Sequence, residues 1–357
     1  MPVSLANINM KQETKFMQRA LELATLGRGA VSPNPLVGCV IVHENFTTGS
    51  RIIGEGWHQR YGEPHAEVNA MRSVAPYDEI LLPDSTVYVT LEPCAHFGKT
   101  PPCADLLVAK QVKRVVVCNG DPFPLVAGKG LDKLQAAGIA VETGMLAEQG
   151  RELNKRFFTF VEKQRPYIIL KWAETADGYI AGPDYQPIAI SCPLSRRLVH
   201  RWRAEEDAIM VGTNTARYDN PKLNVRLWQG RDPVRVVIDK QLTLPPSLHL
   251  FDNSQATLVY TVQKSEVRDQ TTYVQLGAEA EFLPQLVANL YGRRVQSVLV
   301  EGGTVLLQSF MDAGLWDEIR MFRSRDSLGA GIKAPPVLGV LVGQETVGTD
   351  ELRYFRP

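Results

Sequence analysis

The 357-residue sequence has no excess charge of either sign, no long apolar run and few cysteines. Lysine and arginine together number 39, as do aspartate and glutamate, so no net positive charge is available to hold a nucleic-acid backbone. The longest apolar runs, such as 36–42 and 115–118, have the length of strands and are too short to span a membrane. Residues 1–15 are polar, and we expect no secretory signal there. Neither a nucleic-acid partner nor a membrane partner is therefore expected.

Five cysteines, an odd number spread over a long chain, do not form the pattern of a disulfide framework. We therefore expect a reducing, cytoplasmic location. Cys39, Cys118 and Cys192 are interpreted as small buried hydrophobic residues. The other two, Cys94 and Cys103, each follow a proline and lie near the predicted start of a helix.

The chain length and the 44% apolar content predict a globular protein of about two domains. A helical pattern and two extended segments, 36–42 and 51–57, precede alternating helices and strands, which predicts a three-layer α/β/α sandwich with a mixed sheet. A second α/β pattern opens with a strand at 167–172, after the proline of Arg165-Pro166. The predicted organisation is a domain at 1–147, a helical linker at 148–165 and a second domain at 166–357.

His65, Cys94 and Cys103 are the three soft metal ligands that the predicted elements bring together. His65 lies at a helix start, Cys94 follows a strand, and Cys103 opens the next helix, where a helix N-terminus favours a thiolate. A catalytic zinc takes three such protein ligands and a water. Glu67, two residues after the histidine, can move protons to and from that water without binding the metal. His-x-Glu with Pro-Cys is the signature of zinc deaminases that act on nucleobases.

Other interpretations remain open from the residues alone. A closed structural zinc site would need a fourth ligand, which His96 could supply, and the chain would then be a structural or interaction protein. A deaminase acting on another base is a further alternative. Eight residues, 95–102, separate the two cysteines instead of the usual two, and we expect this insertion to line the substrate pocket.

These motifs resemble the bifunctional deaminase–reductase family of riboflavin biosynthesis. The wide cysteine spacing within Leu91–Cys103 is specific to that family among deaminases. The resemblance is carried by Ser32–Gly38, Gly54–His58, Gly62–Val68, Leu91–Cys103, Asp121-Pro122 and Val126–Gly130, and it continues into the second half of the chain.

The resemblance implies a cytidine-deaminase-like α/β/α sandwich followed by a dihydrofolate-reductase-like α/β domain. The first domain, 1–147, would use one zinc ion to remove the 2-amino group of 2,5-diamino-6-(5-phosphoribosylamino)pyrimidin-4(3H)-one. The second, 166–357, would use NADPH to reduce the ribosyl group to a ribityl chain. This small phosphoribosylaminopyrimidine would be the substrate, and we also expect a homo-oligomer, a dimer or tetramer. In the deaminase domain the residues implied to bind substrate are Asn34, His58, His96 and Lys99.

The second domain carries weaker independent signals. It lacks the Gly-x-Gly-x-x-Gly fingerprint of dinucleotide-binding folds. Glu301-Gly302-Gly303-Thr304 lies between a predicted strand and a helix, where two glycines let main-chain N–H groups approach a phosphate.

The resemblance assigns further residues of the second domain to two groups. The residues implied to face substrate are Lys171, Arg203, Asp219, Leu223, Arg226 and Glu301. The residues implied to face NADPH are Ala173, Thr215, Asp219, Gly302, Gly303 and Thr304. Lys171 and Asp219 are the candidates for the proton that accompanies the hydride.

Two departures from the family pattern fall in this half. Ala189 stands where the family has a tryptophan that packs near the cofactor, and Ser324-Arg325 replaces a common Ala-Pro. The first departure keeps open a deaminase whose C-terminal half binds or regulates without reducing.

Overall fold

The structure, a computed structural model, describes residues 5–44, 49–97, 101–124, 126–277 and 281–357, with only the main chain for residues 5–12. The chain forms two compact units, Met1–Lys163 and Gln164–Pro357. No helix within these described ranges combines the length and apolar content needed to cross a membrane.

A mixed five-stranded sheet, ordered β2-β1-β3-β4-β5, forms the centre of the first unit. β1 is antiparallel to both β2 and β3, and β3, β4 and β5 run parallel to one another. The strands are β1 Gly38–His43, β2 Arg51–Trp57, β3 Ser85–Leu91, β4 Arg114–Asn119 and β5 Ala140–Thr143.

Helices cover both faces of this sheet, as the sequence predicts. The helices are α1 Leu5–Thr25, α2 Ala66–Ser73, α3 Cys103–Ala109, α4 Lys129–Ala136, α5 Ala147–Leu153 and α6 Lys155–Lys163, with a 3-10 helix at Pro76–Asp84. Alternate residues of β1 point to opposite faces. Cys39 and Ile41 pack with residues of α2 and α3, whereas Val40 and Val42 pack with α1. The first unit is therefore a three-layer α/β/α sandwich.

The segment 148–165, expected to be a linker, contains most of α5 and all of α6. Phe157 and Phe158 of α6 are buried against Leu91 at the end of β3. This apolar contact explains why the first unit extends to Lys163.

The second unit contains a ten-stranded sheet, ordered β11-β12-β10-β9-β8-β13-β6-β14-β17-β16. The seven strands from β12 to β14 in this order are parallel, and β11, β17 and β16 pair antiparallel. The strands of this sheet are β6 Tyr167–Glu174, β8 Ala208–Gly212, β9 Val234–Ile238, β10 Thr257–Thr261, β11 Glu266–Arg268, β12 Thr271–Gln275, β13 Ser297–Val300, β14 Glu318–Arg323, β16 Val340–Val347 and β17 Asp350–Arg356; β7 Tyr179–Ala181 pairs with β15 Ile332–Lys333.

Helices again lie on both faces of the sheet. They are α7 Pro193–Glu205, α8 Thr213–Asp219, α9 Phe282–Gly292 and α10 Thr304–Asp312, with 3-10 helices at Pro183–Tyr185 and His249–Phe251. Residues of α9 and α10 pack on one face of the central strands, and Val199 and Trp202 of α7 pack on the other. The carboxyl ends of parallel strands meet at one edge, which is where ligands bind in open α/β sheets.

Cys39 and Cys118 are fully buried, as predicted. The prediction for Cys192 is wrong, because this residue is only partly buried and caps α7. Its Sγ accepts the main-chain N–H of Ser195, which satisfies one of the unpaired donors of the first helical turn.

Candidate active sites

Three elements of the first unit bring a histidine and two cysteines together. His65 directly precedes α2, Cys94 lies in the loop after β3, and Cys103 is the first residue of α3. His65 Nδ1 lies 3.4 Å from Cys103 Sγ and 3.6 Å from Cys94 Sγ. The three ligand atoms all lie within 4.8 Å of one another, so they can share one ion.

These distances fit tetrahedral zinc. Zn–N bonds of about 2.0–2.1 Å and Zn–S bonds of about 2.3 Å place the nitrogen and sulfur about 3.6 Å apart. The main-chain N–H of Cys103 donates to Cys94 Sγ at 3.3 Å. The hydrogen bond from the Cys103 thiol, with a smaller contribution from His65, lowers the pKa of Cys94, and the same contact raises the pKa of Cys103. Without a metal, Cys94 is therefore the thiolate of the pair.

Glu67 lies in the first turn of α2 and is 4% exposed. Its carboxylate is within hydrogen-bonding reach of the Cys103 thiol, and burial raises the pKa of Glu67. His96, the alternative fourth ligand, is exposed and lies outside the ligand cluster that the described residues form. Three protein ligands beside a buried carboxylate are the arrangement of a catalytic rather than a closed structural site. The fold and this site define a zinc-dependent hydrolytic deaminase.

Asn34 and His58 form one predicted substrate-binding pair beside the metal ligands. His58 is buried, and its Nε2 lies 3.1 Å from Asn34 Nδ2. Its Nδ1 lies 3.1 Å from the carbonyl oxygen of Pro64, which can only accept, so Nδ1 carries the proton. The His58 and His65 rings meet edge to face, with centroids 5.5 Å apart. Lys99, a further predicted substrate-binding residue, lies outside the described residues.

Glu92 has a supporting role that the sequence analysis missed. Its buried carboxylate accepts main-chain N–H groups from Asp121 at 3.3 Å, Gly128 at 3.1 Å and Gly130 at 3.0 Å. Burial raises the pKa of Asp121 to about 6. Because Glu92 is two residues before Cys94, these bonds fix the loop that presents this ligand.

Asn154 supports the segment that carries Asn34. Its side chain accepts the N–H of Leu36 at 2.8 Å and donates to the carbonyl of Leu36 at 2.9 Å. No sequence motif marks Asn154, because its partners are main-chain groups 118 residues away.

A cavity of about 1160 Å³ lies at the carboxyl edge of the parallel strands in the second unit. It is slightly larger than the roughly 300–1,000 Å³ of typical small-ligand pockets. The predicted site residues in its wall are Lys171, Ala173, Thr215, Asp219, Glu301, Gly303 and Thr304.

Lys171 and Glu301 bring opposite charges to this wall. Lys171 lies on β6, and Glu301 directly follows β13, which runs parallel beside β6. Glu301 forms a bidentate ion pair with Arg203, at 2.9 and 2.7 Å. Burial opposes the charge of Glu301, but Arg203 and Lys171 lower the pKa of Glu301 to about 2. Burial lowers the pKa of Lys171, which eases proton donation by the lysine. Burial also raises the pKa of Asp219.

The Gly302-Gly303 turn fits a close approach by a ligand. A Cβ on Gly302 would meet Val211 Cα at 2.9 Å, so glycine is required where β13 meets β8. Gly303 has a φ of +53°, and its missing Cβ leaves space 3.2 Å from Thr215 Oγ1. Main-chain N–H groups at the start of α10 suit a cofactor phosphate.

Four other predicted residues are not in the cavity wall: Arg203, Leu223, Arg226 and Gly302. Leu223 is 2% exposed and packs in the core, while Arg226 is exposed. His200 was missed by the sequence analysis, although it is buried next to Arg203 and Arg226.

Ala189, where a tryptophan was expected, does line the cavity. Tyr185 and Tyr218 also line it, and their rings stack 4.8 Å apart. Aromatic surface is therefore present in this wall without the tryptophan.

Comparison with known proteins assigns a domain type to each half of the chain. The family model described as the cytidine and deoxycytidylate deaminase zinc-binding region matches residues 10–119, and the model of the RibD C-terminal domain matches residues 166–351. The RibD C-terminal match covers 186 of the 357 residues, which is more than half of the chain.

Relatives match almost the full length of the chain. The riboflavin biosynthesis protein RibD of Aquifex aeolicus is 39% identical over 90% of this chain and 89% of its own, and that of Escherichia coli is 36% identical over 97% of both. A solved diaminohydroxyphosphoribosylaminopyrimidine deaminase/5-amino-6-(5-phosphoribosylamino)uracil reductase from Thermotoga maritima is 36% identical, with a TM-score of 0.88 over 98% of this chain and 99% of that one. RibD of Acinetobacter baumannii is 34% identical, with a TM-score of 0.87 over the same shares.

The chain therefore belongs to the RibD family of riboflavin biosynthesis proteins. It is a bifunctional enzyme with a zinc-binding deaminase domain and a reductase domain of the type that uses NADPH. The predicted family, the cytidine-deaminase-like first domain and the two cofactors are confirmed.

Proposed function

We propose that the first unit converts 2,5-diamino-6-(5-phosphoribosylamino)pyrimidin-4(3H)-one to the corresponding uracil and that the second unit then reduces its ribosyl group to a ribityl chain. The deaminase domain would be 1–147 and the reductase domain 166–357. The observation that carries the proposal is the shared position of His65, Cys94 and Cys103 beside buried Glu67. Family membership supports the order of the two steps.

In the deaminase site His65, Cys94 and Cys103 would hold one zinc ion. Bound zinc acts as a Lewis acid that lowers the pKa of a water to about 7. The Glu67 carboxylate takes protons from the attacking water, delivers one to the ring nitrogen and passes the other to the amino group, which leaves as ammonia. The water oxygen becomes the new carbonyl oxygen. Asn34 and His58 bind the substrate edge next to the metal, with His96 and Lys99 as further candidates.

In the reductase site Gly302–Thr304, Thr215 and Ala173 would hold NADPH. The bound cofactor supplies a hydride, and the protein positions the reactants. Lys171 or Asp219 supplies the accompanying proton. Arg203 stays paired with Glu301 and fixes the carboxylate beside Lys171. Arg226 would bind the ribose phosphate.

A coupled assay tests this function. The zinc-loaded chain is given the diaminopyrimidine phosphate and NADPH, and ammonia and NADPH absorbance are followed together. We expect NADPH consumption only after ammonia release begins. NADPH consumption without any ammonia release, or ammonia release without NADPH consumption, would contradict the two-step order or the reductase step.

Glu67→Gln separates metal binding from proton transfer. The variant should keep one zinc per chain while ammonia release falls by about 100-fold or more, because acid–base catalysis contributes about 10²–10⁴. The exposed Glu148→Gln is the matched control and should release ammonia at the normal rate. If Glu67→Gln deaminates normally, the role of Glu67 is wrong.

The proposal also includes the assembly and the location of the protein, which would be a homo-oligomer in the cytoplasm. The edge strand β16 exposes Val340, Leu341 and Val342, and an exposed apolar edge can pair with a second copy. All five cysteines are unpaired, which suits a reducing compartment. Sedimentation of the purified chain would show a dimer or tetramer, whereas a monomer at micromolar concentration would refute this part.

A further inference from the structure

Helix α7 carries two polar side chains on one face, and both contact the turn at residues 223–226. His200 and Arg203 are three residues apart, so they are neighbours on the helix surface. His200 is 3% exposed, and the Arg203 side chain is 11% exposed. Arg203 Nη1 donates to the carbonyl of Asn224 at 3.2 Å, and the main-chain nitrogen of Arg226 lies 3.2 Å from His200 Nδ1. This face of α7 therefore holds the turn at two points.

The protonation of His200 follows from this contact. A main-chain N–H can only donate, so Nδ1 of His200 must be the unprotonated acceptor and Nε2 carries the proton. The charged groups that face the ring are Arg203 on the same helix, Arg226 on the turn and Glu301 after β13. Burial, followed by the two arginines, lowers the pKa of His200 to about 4. The ring therefore stays a neutral acceptor near pH 7.

The turn depends on contacts from outside itself. Leu223 has a φ of +51°, a conformation that is unfavourable for a leucine unless its surroundings impose it. The N–H of Val225 donates to Asp232 at 2.6 Å. The Arg226 guanidinium donates back to Asn224 Oδ1 at 3.1 Å. Without His200, the main chain of Arg226 would lose the contact that ties it to α7.

We propose that His200 is a positioning residue of the reductase step, which fixes the main chain of Arg226 so that its guanidinium reaches the phosphate of the deaminated substrate. His200 itself is not among the residues that line the cavity. The inference rests on the proposed function, in which Arg226 binds that phosphate. The hydrogen bond from Arg203 to the Asn224 carbonyl positions the same turn. It cannot replace His200, because the main-chain N–H of Arg226 needs an acceptor and a guanidinium only donates.

Steady-state kinetics of the full-length, zinc-loaded chain test the role. His200→Leu removes the acceptor, and we expect the KM for the deaminated substrate to rise roughly tenfold, because small misplacements of binding groups are costly. The kcat should stay within about twofold, since Arg226 is proposed to bind the phosphate and not to donate the proton. His200→Asn retains an acceptor oxygen and should restore most of the lost affinity. Ammonia release by the other unit should be unchanged, which also reports that each variant is folded.

A double-mutant cycle distinguishes positioning from general destabilisation. In the Arg226→Gln background, His200→Leu should change KM no further, because the group that it positions is gone. An equal effect of His200→Leu in both backgrounds, or no effect in either, would overturn the inference.

Nitrogen NMR of the unaltered chain labelled with ¹⁵N-histidine supplies a readout that does not require turnover. The spectrum should show His200 as a neutral ring with the proton on Nε2, and a proton on Nδ1 would overturn the inference even if the leucine variant fails to fold. If the unaltered chain does not consume NADPH with the deaminated substrate, the proposed function fails instead, and the tautomer of His200 is still decided.

Discussion

Gly130 donates its main-chain N–H to the carboxylate of Glu92 at 3.0 Å, across 38 residues of sequence. Gly128 and Asp121 donate to the same carboxylate, so a single buried side chain holds Asp121, Gly128 and the first turn of α4. Pro93 and Cys94 follow Glu92 directly. These three contacts therefore restrain a cysteine of the zinc site, although none of their donors is a metal ligand.

Glu92→Gln should weaken zinc binding and stability. The amide keeps one acceptor oxygen but loses the charge and the second acceptor, so a buried N–H is left poorly satisfied. We expect the free energy of unfolding to fall by about 1–3 kcal/mol. Zinc affinity, measured by competition with a chromogenic chelator, should fall by about 10–100-fold, as for other residues that orient metal ligands.

Gly130→Ala tests the same contact from the other side. A Cβ at Gly130 would clash with the carbonyl oxygen of Pro93, so the first turn of α4 must move. Its zinc affinity should fall as well, whereas exposed Glu148→Gln should bind zinc normally. Normal zinc affinity in both Glu92→Gln and Gly130→Ala would show that the contacts of Glu92 do not position Cys94.

The sequence was sufficient to predict that the three candidate metal ligands come together, because each lies at the end of a predicted element. His65 begins a helix, Cys94 follows a strand and Cys103 begins another helix, so a correct element pattern already brings them close together. Glu92 and Asn154 could not be predicted in the same way. Their partners are main-chain groups of distant loops, whose positions depend on packing rather than on any local residue pattern.

The cavity of the second unit shows the same limit. Lys171 and Glu301 were expected there, and their strands β6 and β13 do lie side by side. Leu223 was expected to face substrate, but its apolar side chain packs in the core. The residues that follow Leu223 form the turn that α7 contacts. The sequence also gave no reason to select His200, because its acceptor role is defined only by the position of the Arg226 main chain.

Asn154→Leu should impair substrate binding by the deaminase. The leucine cannot pair with the N–H and carbonyl groups of Leu36, and we expect the free energy of unfolding to fall by about 1–3 kcal/mol. Because Leu36 is two residues after Asn34, the KM for deamination should rise more than kcat falls. Ammonia-release kinetics and urea unfolding measure both effects. Gln149→Leu, at an exposed position of α5, is the control, and an equal change in both variants would rule out a local role.

Glu301→Gln should destabilise the second unit because it leaves Arg203 buried without a full counter-charge. Removing one partner of a buried pair costs about 3–5 kcal/mol. The Arg203→Met/Glu301→Met double variant should recover much of that stability, but reductase activity should stay low. Urea unfolding and NADPH consumption measure the two outcomes. Full recovery of activity in the double variant would show that the pair is only structural.

The same pair predicts a pH dependence. The folded pKa of Glu301, about 2, is below the ordinary value of 4.5, so its ionised form contributes stability above about pH 4.5. That contribution is lost as the pH falls towards 2. In the zinc-free chain, the difference in unfolding free energy between the unaltered protein and Glu301→Gln should narrow from pH 5 to pH 3. A difference that is constant over this interval would contradict the assigned ion pair.

Gly303→Ala should weaken NADPH binding more than it destabilises the fold. Its φ of +53° disfavours alanine, and the new methyl group would lie 3.2 Å from Thr215 Oγ1, in the space proposed for a cofactor phosphate. Gly314→Ala is the matched control, since Gly314 has a φ of +63° and open space at its Cβ position. Both variants carry similar backbone strain, of about 1–2 kcal/mol. Fluorescence titration should show an NADPH Kd raised about tenfold or more for Gly303→Ala, equivalent to at least about 1.4 kcal/mol, and a nearly unchanged Kd for Gly314→Ala. If both variants bind NADPH alike, the turn before α10 does not contact the cofactor.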